Sequence, residues 1–333
     1  MKIKAVVVTE TGAADKLALR DVELGWPRGP SDVLVTLKAA ALNPADVFFR
    51  QLGGYLSGPE AFVLGHDGMG VVSAVGPAVT AVKPGDRVCF CNGGIGGTMG
   101  TYAEAAVVPD WQLAKVPDGV DDLTAAALPL VSITGWEALY DRVRLQPGES
   151  VLIHGGAGGT GHVAIQLARL RGARVAATVS SAAKAELVLE LGADRAINYR
   201  EEDFADAALT WSGGLDAAFD NAGAETMQET YRAMAPHGRV VTLMGVAPDD
   251  AESNAYNLNL TLHNVMMLTP MWKGLSARLK EQAEIVRQAL ALVAEGHLKI
   301  RHAENFALAD AAKAHEFLES GKALGKVTLR IGD

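Results

Sequence analysis

The residues best placed for chemistry lie between Ser150 and Ser181. An apolar run, Val151-Leu152-Ile153-His154, enters the turn Gly155-Gly156-Ala157-Gly158-Gly159-Thr160-Gly161. Val163, Ile165, Leu167, Ala168 and Leu170 then recur at helical spacing, and the segment from Arg174 to Val179 reads as extended. Gly156, Gly158 and Gly161 stand in the spacing G-x-G-x-x-G. In that pattern the first glycine allows a tight turn, the second lets backbone approach a pyrophosphate, and the third lets helix pack on strand. Phosphates placed there meet free N–H groups at a helix start, so Gly156, Gly158, Gly159, Thr160 and Gly161 are candidate cofactor contacts.

Which dinucleotide is bound depends on the end of the second strand. An NAD site places Asp or Glu about 20 residues past the glycines, to hold the ribose 2′-hydroxyl. Here the chain reads Thr178-Val179-Ser180-Ser181, with no carboxylate to repel a 2′-phosphate. Ser180 and Ser181 can donate to that phosphate and Lys184 can neutralise it. Tyr199 and Arg200 are placed to close the same pocket, although Lys184 and Arg200 taken singly read as ordinary solvated charges. Together with the missing acid they favour NADP.

Around this stretch the chain alternates strand and helix, with strands at Val151–His154, Arg174–Val179, Ala196–Ile197, Ala217–Asp220 and Val240–Met244. That alternation predicts a doubly wound parallel sheet. Residues 1 to about 120 instead read as short strands broken by Gly/Pro turns, a mostly β unit. The tail holds two amphipathic helices and a last strand, Val327 to Ile331, expected to rejoin the first unit. The chain thus reads as residues 1–122 plus 262–333 around an inserted 123–261. Asn221 and Gly245 fall at the ends of strands in the inserted part, where open α/β sheets bind ligands.

With 333 residues, 49% hydrophobic and 21% charged, the chain has the length of about two domains and an ordinary globular composition. A net charge of −9 without a basic run argues against nucleic-acid binding. No apolar stretch reaches the length of a membrane span, and the amino terminus reads as a strand, so a cytoplasmic protein is expected. Cys89 and Cys91 flank Phe90 and read as buried reduced thiols.

Several motifs together resemble the medium-chain dehydrogenase/reductase superfamily, in its zinc-independent quinone oxidoreductase (zeta-crystallin-like) branch. They are Ala41-Leu42-Asn43-Pro44-Ala45-Asp46, Leu64-Gly65-His66-Asp67-Gly68, Val82-Lys83-Pro84-Gly85-Asp86-Arg87-Val88, Tyr102-Ala103-Glu104, the glycine turn, Leu191-Gly192-Ala193-Asp194 and Gly238-Arg239-Val240-Val241. The resemblance implies an α/β fold, a GroES-like mostly-β catalytic domain with an inserted Rossmann domain, and hydride transfer from NADPH in the cleft between them. Relatives that hold zinc supply a Cys, a His and a further ligand. Here Asn43 stands at the Cys position, and Leu130, Val131 and Ser132 occupy the region of the last ligand. Only His66 is retained, too few donors for a tetrahedral site, so no metal is expected.

By the same resemblance, the catalytic candidates are Tyr55, Asn43, His66 and Thr134. Tyr55 is a proton donor in similar enoyl reductases, and Thr134, read as starting a helix, lies against the nicotinamide. Asn43, Thr134 and Lys326 are implied cofactor contacts. His66 reads equally as a hydrogen-bonded relic or as a group that binds or protonates substrate. The expected reaction is metal-free reduction of a quinone or α,β-unsaturated carbonyl. The alternatives are a zinc-dependent alcohol dehydrogenase with an atypical site at His66, or a non-catalytic NADPH-binding protein. Relatives are commonly homodimers, and Asn264 to Leu268 reads as an edge strand fit for that contact.

Overall fold

The computed structural model describes residues 1–53, 62–92, 99–245 and 255–332. Two compact units emerge, one from Met1–Leu130, Leu268–Gly296 and Ile300–Asp333, the other from Val131–Met267 and His297–Lys299. The divisions at 130 and 267 differ from those expected at 122 and 261. The Asp122–Ala127 helix packs on the Asp32–Ala41 and Asp67–Val75 strands of the first unit, and Thr261–Asn264 pairs within the sheet of the second.

In the first unit a seven-stranded sheet runs in the order His302–Ala307, Lys326–Arg330, Asp32–Ala41, Asp67–Val75, Arg87–Cys91, Ala114–Lys115, with Ala105–Pro109 paired to Asp32–Ala41. The last strand does return to this unit, antiparallel to Asp32–Ala41. Register decides which side chains meet at the sheet's end. Ala41 lies opposite both Asp67 and Thr328, and Asp67 lies opposite Cys91. Asn43, His66, Asp67, Cys91 and Lys326 are therefore delivered to one end of the sheet from four strands. The Leu17–Glu23 strand and the Pro44–Leu52 helix were not foreseen. The helix is encoded locally, since Asn43 precedes Pro44 at N1 and the Asp46 carboxylate at N3 accepts the Asn43 N–H at 2.8 Å.

The second unit carries a six-stranded parallel sheet ordered Arg195–Asn198, Arg174–Val179, Ser150–Ile153, Leu215–Asp220, Met234–Thr242, Thr261–Asn264. Numbered within the unit this is 3-2-1-4-5-6, the doubly wound Rossmann order. All four residues of Ser150–Ile153 are buried, as expected of a central strand covered by helices on both faces. The edge strand stops at Asn264, so the expected run from Asn264 to Leu268 is corrected to Thr261–Asn264. Among the described residues, no helix is long and apolar enough to cross a membrane.

Candidate active site

In the second unit, Ser150–Ile153 leads through the glycine turn into the Gly161–Leu170 helix. The glycines divide the work differently from the expected scheme. The left-handed residue is Gly155, with φ of 61°, one position before the motif. A Cβ at Gly156 would lie 2.8 Å from the Ala177 Cβ, and one at Gly161 would lie 2.3 Å from the Gly155 carbonyl oxygen. These two glycines close turn, helix and strand together. A Cβ at Gly158 would meet only the Gly155 oxygen, at 3.2 Å, so that glycine opens a partly exposed face. Among the described residues, the N–H groups of Ala157, Gly159 and Thr160 have no acceptor, and the Thr160 hydroxyl caps nothing.

His154 holds the turn from behind. The Gly155 N–H donates to Thr178 Oγ1 (3.1 Å), which donates in turn to His154 Nδ1 (3.2 Å). His154 Nε2 donates to Thr230 Oγ1 (2.9 Å), whose proton goes to the Thr226 carbonyl. This chain requires the neutral Nε2–H tautomer, and burial lowers the His154 pKa to about 4, against a smaller opposing pull from Asp220. His162 is likewise buried, with its Nδ1 on the Gly158 carbonyl at 3.0 Å. Neither histidine is left for catalysis.

At the end of Arg174–Val179, Ser181 caps the Ala182–Glu190 helix, and Lys184 Nζ donates to Ser180 Oγ at 3.1 Å. The expected hydroxyl and ammonium are thus side by side with no carboxylate in the segment. Tyr199 is half exposed, its N–H on the Val179 carbonyl at 3.1 Å. Asp220 gathers the N–H groups of Ala222 and Gly223 and the Thr242 hydroxyl. Asn221 Nδ2 donates to the His154 carbonyl, leaving Oδ1 buried without a partner. Gly245 is exposed, with φ of 89°. Thr134 is buried inside the Pro129–Trp136 helix, which corrects its reading as a helix start.

The residues of this unit fit a dinucleotide. The turn presents free N–H groups, the strand end pairs a hydroxyl with an ammonium, and one buried polar atom, Asn221 Oδ1, lacks a partner.

In the first unit the register assembles a buried polar cluster. Asn43 Nδ2 donates to Asp67 Oδ2 at 2.9 Å, and Lys326 Nζ donates to Asn43 Oδ1 (2.6 Å) and to the Leu42 carbonyl (3.0 Å), with Asp67 Oδ2 at 3.5 Å. Three acceptors around one nitrogen are the pattern of an ammonium, so we assign a buried ion pair; burial nevertheless holds the Lys326 pKa below its ordinary value. Lys326 thereby orients Asn43, a role its place in the sequence did not reveal. The Leu130 N–H completes Asp67 at 2.8 Å.

Asp46 was not among the expected site residues, yet four donors converge on it. They are His66 Nδ1 (2.7 Å), Gly65 N–H (3.2 Å), Asn43 N–H (2.8 Å) and Tyr102 Oη (3.3 Å). Burial pushes the Asp46 carboxyl up, but His66 and the other partners outweigh it and hold its pKa below the usual carboxylate range. His66 stacks on Phe49, and its Nε2 is buried with no partner. Arg50, also fully buried, grips Glu319 with two N–H groups and touches His315 Nδ1 at 3.3 Å. Its signal in the sequence was an arginine one turn on from Asp46 along the capped helix. Burial pushes both cysteine thiols up, so Cys89 and Cys91 are inert. Tyr55 lies outside the described residues. Among the described residues, no three His, Cys, Asp or Glu side chains gather as a metal-holding set.

Residues 29–118 match the alcohol dehydrogenase GroES-like domain and residues 191–329 the zinc-binding dehydrogenase family. Along its length the chain is 31% identical to a 2-haloacrylate reductase of a Burkholderia species, over 98% of both chains. The chain belongs to the medium-chain dehydrogenase/reductase superfamily. Within that superfamily it is 32% identical to a quinone oxidoreductase of Pseudomonas aeruginosa, over 98% of this chain and 99% of that one. A mycobacterial member solved as a complex with NADPH superimposes with a TM-score of 0.83 at 31% identity, covering 98% of this chain and 99% of that one. The protein is an NAD(P)-dependent oxidoreductase of this superfamily, with a GroES-like domain and a Rossmann domain.

Proposed function

We propose that the protein is an NADPH-dependent, metal-free reductase of quinones or α,β-unsaturated carbonyls. The observation that carries this reading is the Lys326 ammonium seated 2.6 Å from Asn43 Oδ1 and 3.5 Å from Asp67 Oδ2. A cation already engages Asn43, which stands where zinc-holding relatives have a Cys, and Asp67, next to His66 in the chain, which takes both out of any ligand set. Ser180 and Lys184 support NADPH over NADH, and the names of the relatives support a quinone or an activated alkene.

NADPH, when bound, supplies a hydride to the electrophilic carbon of the substrate. The second unit would hold it, the turn N–H groups and Thr160 serving the pyrophosphate, Ser180, Ser181, Lys184 and Tyr199 the 2′-phosphate, and Asn221 and Gly245 contributing from the strand ends. Reduction leaves negative charge on the substrate oxygen, and a proton must be delivered to it. His66 is suited to that task, because Asp46 fixes its Nδ1–H and leaves Nε2, buried and unpartnered, to carry a proton to substrate. Asn43 and Thr134 complete the assignment, with Asn43 held by Lys326. Tyr55 is the rival donor. The same reading makes the protein a cytoplasmic homodimer, which sedimentation tests.

The deciding assay is NADPH oxidation by chelator-treated enzyme against quinones, enones and aldehydes, with NADH as control. Turnover of quinones or enones that survives chelation, prefers NADPH and falls in His66→Asn while persisting in Tyr55→Phe is expected. Activity that vanishes with chelator and returns with zinc overturns the metal-free mechanism. No turnover of any acceptor overturns catalysis altogether.

A further inference from the structure

The second unit has another charged concavity, at the opposite end of its sheet. Arg239 lies three residues before the carboxyl end of Met234–Thr242 and is paired with Thr261, the first residue of the edge strand. The concavity around it measures about 470 Å³, and its walls include Arg142, Arg144, Arg239 and His263, with Asp141 as the carboxylate among them. Such a grouping is unexpected in a chain of net charge −9.

Several donors here are unused. Arg239 donates to Glu149 Oε2 at 2.7 Å, while its Nε is buried without a partner. Arg142 is engaged through Nε alone, on the Asn264 carbonyl at 3.2 Å. Among the described residues, the Arg144 guanidinium and the His263 ring have no hydrogen-bond partner. Arg144 also holds a left-handed backbone, with φ of 48°.

We propose that this concavity binds a small phosphate-type oxyanion, inorganic phosphate or a phosphomonoester, held by Arg142, Arg144 and Arg239 with His263 as a fourth donor. A tetrahedral dianion offers several acceptors at once, and guanidinium forks match it bidentately. The volume exceeds what bare phosphate fills and leaves room for a small organic group. Glu149 neutralises part of Arg239 and Asp141 offsets a second charge, so His263 matters. Burial, then Arg142, Arg144 and Arg239, hold its pKa below the ordinary histidine value. A bound dianion reverses that field, so His263 takes up a proton on binding. The site shares no residue with the glycine turn or the Ser180–Lys184 pair, so it stands or falls independently of the cofactor reading.

The test uses the full chain with 15N-labelled histidine and follows the His263 ring while inorganic phosphate or glycerol 3-phosphate is added, with sodium chloride at equal ionic strength as reference. A saturable response to phosphate or the ester beyond that of chloride is expected, with the His263 ring taking up a proton in the complex. The double substitution Arg142→Gln/Arg144→Gln should weaken it roughly tenfold or more, with the thermal midpoint and NADPH titration unchanged; if the double variant does not fold, Arg144→Gln alone serves. Tighter binding of the ester marks a metabolite site, and tighter binding of phosphate a free-ion site. A response no larger than that of chloride, one identical in the variants, or a complex in which the His263 ring gains no proton overturns the proposal.

Discussion

Gly158 and Gly161 belong to one motif, yet the structure predicts opposite consequences for the same added methyl group. At Gly161 a Cβ would sit 2.3 Å from the Gly155 carbonyl oxygen and 2.8 Å from the Gly156 Cα, both backbone atoms that no side-chain rotation can move. The helix must retreat from the turn, an overpacking cost of about 1–3 kcal/mol, visible as a fall of several degrees in Tm. At Gly158 the only neighbour is the Gly155 oxygen at 3.2 Å, and φ is outside the left-handed region. Any small steric cost there is offset by the roughly 0.4–1 kcal/mol gained when glycine is replaced and the unfolded chain loses freedom. Gly158→Ala should therefore fold with a Tm close to the parent. Its methyl group, however, occupies the face on which a pyrophosphate would rest. Losing one charge-assisted N–H contact, worth about 1.5–3 kcal/mol, weakens NADPH binding about 10- to 150-fold. Differential scanning fluorimetry and a fluorescence titration with NADPH separate the two effects. A Gly158→Ala protein that binds NADPH like the parent, or that loses as much stability as Gly161→Ala, would refute this assignment of the two glycines.

Ser180→Asp places a carboxylate beside Lys184 at the 2′-phosphate position. It should shift preference from NADPH toward NADH by about 2 kcal/mol, on the order of 30-fold in the ratio of kcat/KM values; an unchanged ratio would show that the phosphate is held elsewhere. A pH dependence arises from His154, whose pKa in the folded chain is about 4 because burial disfavours its charge. Its contribution to stability is complete above the ordinary histidine range near 6.5 and is lost as pH falls toward about 4, by at most roughly 3 kcal/mol. Urea unfolding of His154→Gln should show a shallower slope between about pH 6.5 and 4 than the parent, and equal slopes would remove His154 as the cause.

The parts legible in the sequence are those encoded within a few residues. The glycine turn, the absence of an acid at Ser180 and the strand–helix alternation all rest on local spacing, and the 3-2-1-4-5-6 sheet carries them unchanged. The N-cap run Asn43-Pro44-Ala45-Asp46 is equally local, but that its carboxylate orients His66 depends on a contact 20 residues away in the chain. Gly155 was hidden because φ depends on how the chain must leave the strand, and spacing alone pointed to Gly156.

By itself, then, the sequence determined that a dinucleotide turn exists, that no carboxylate guards its second strand, and that a mostly β unit surrounds an inserted α/β one. Tertiary structure alone decided which polar groups meet. Lys326 reaches Asn43 across 283 residues and Arg50 reaches Glu319 across 269. Those meetings depend on the register of Asp67 and Thr328 against Ala41 and on helices packing side by side. A ladder shifted by one residue would turn the alternate side chains to the other face, and no run of neighbouring residues specifies that choice.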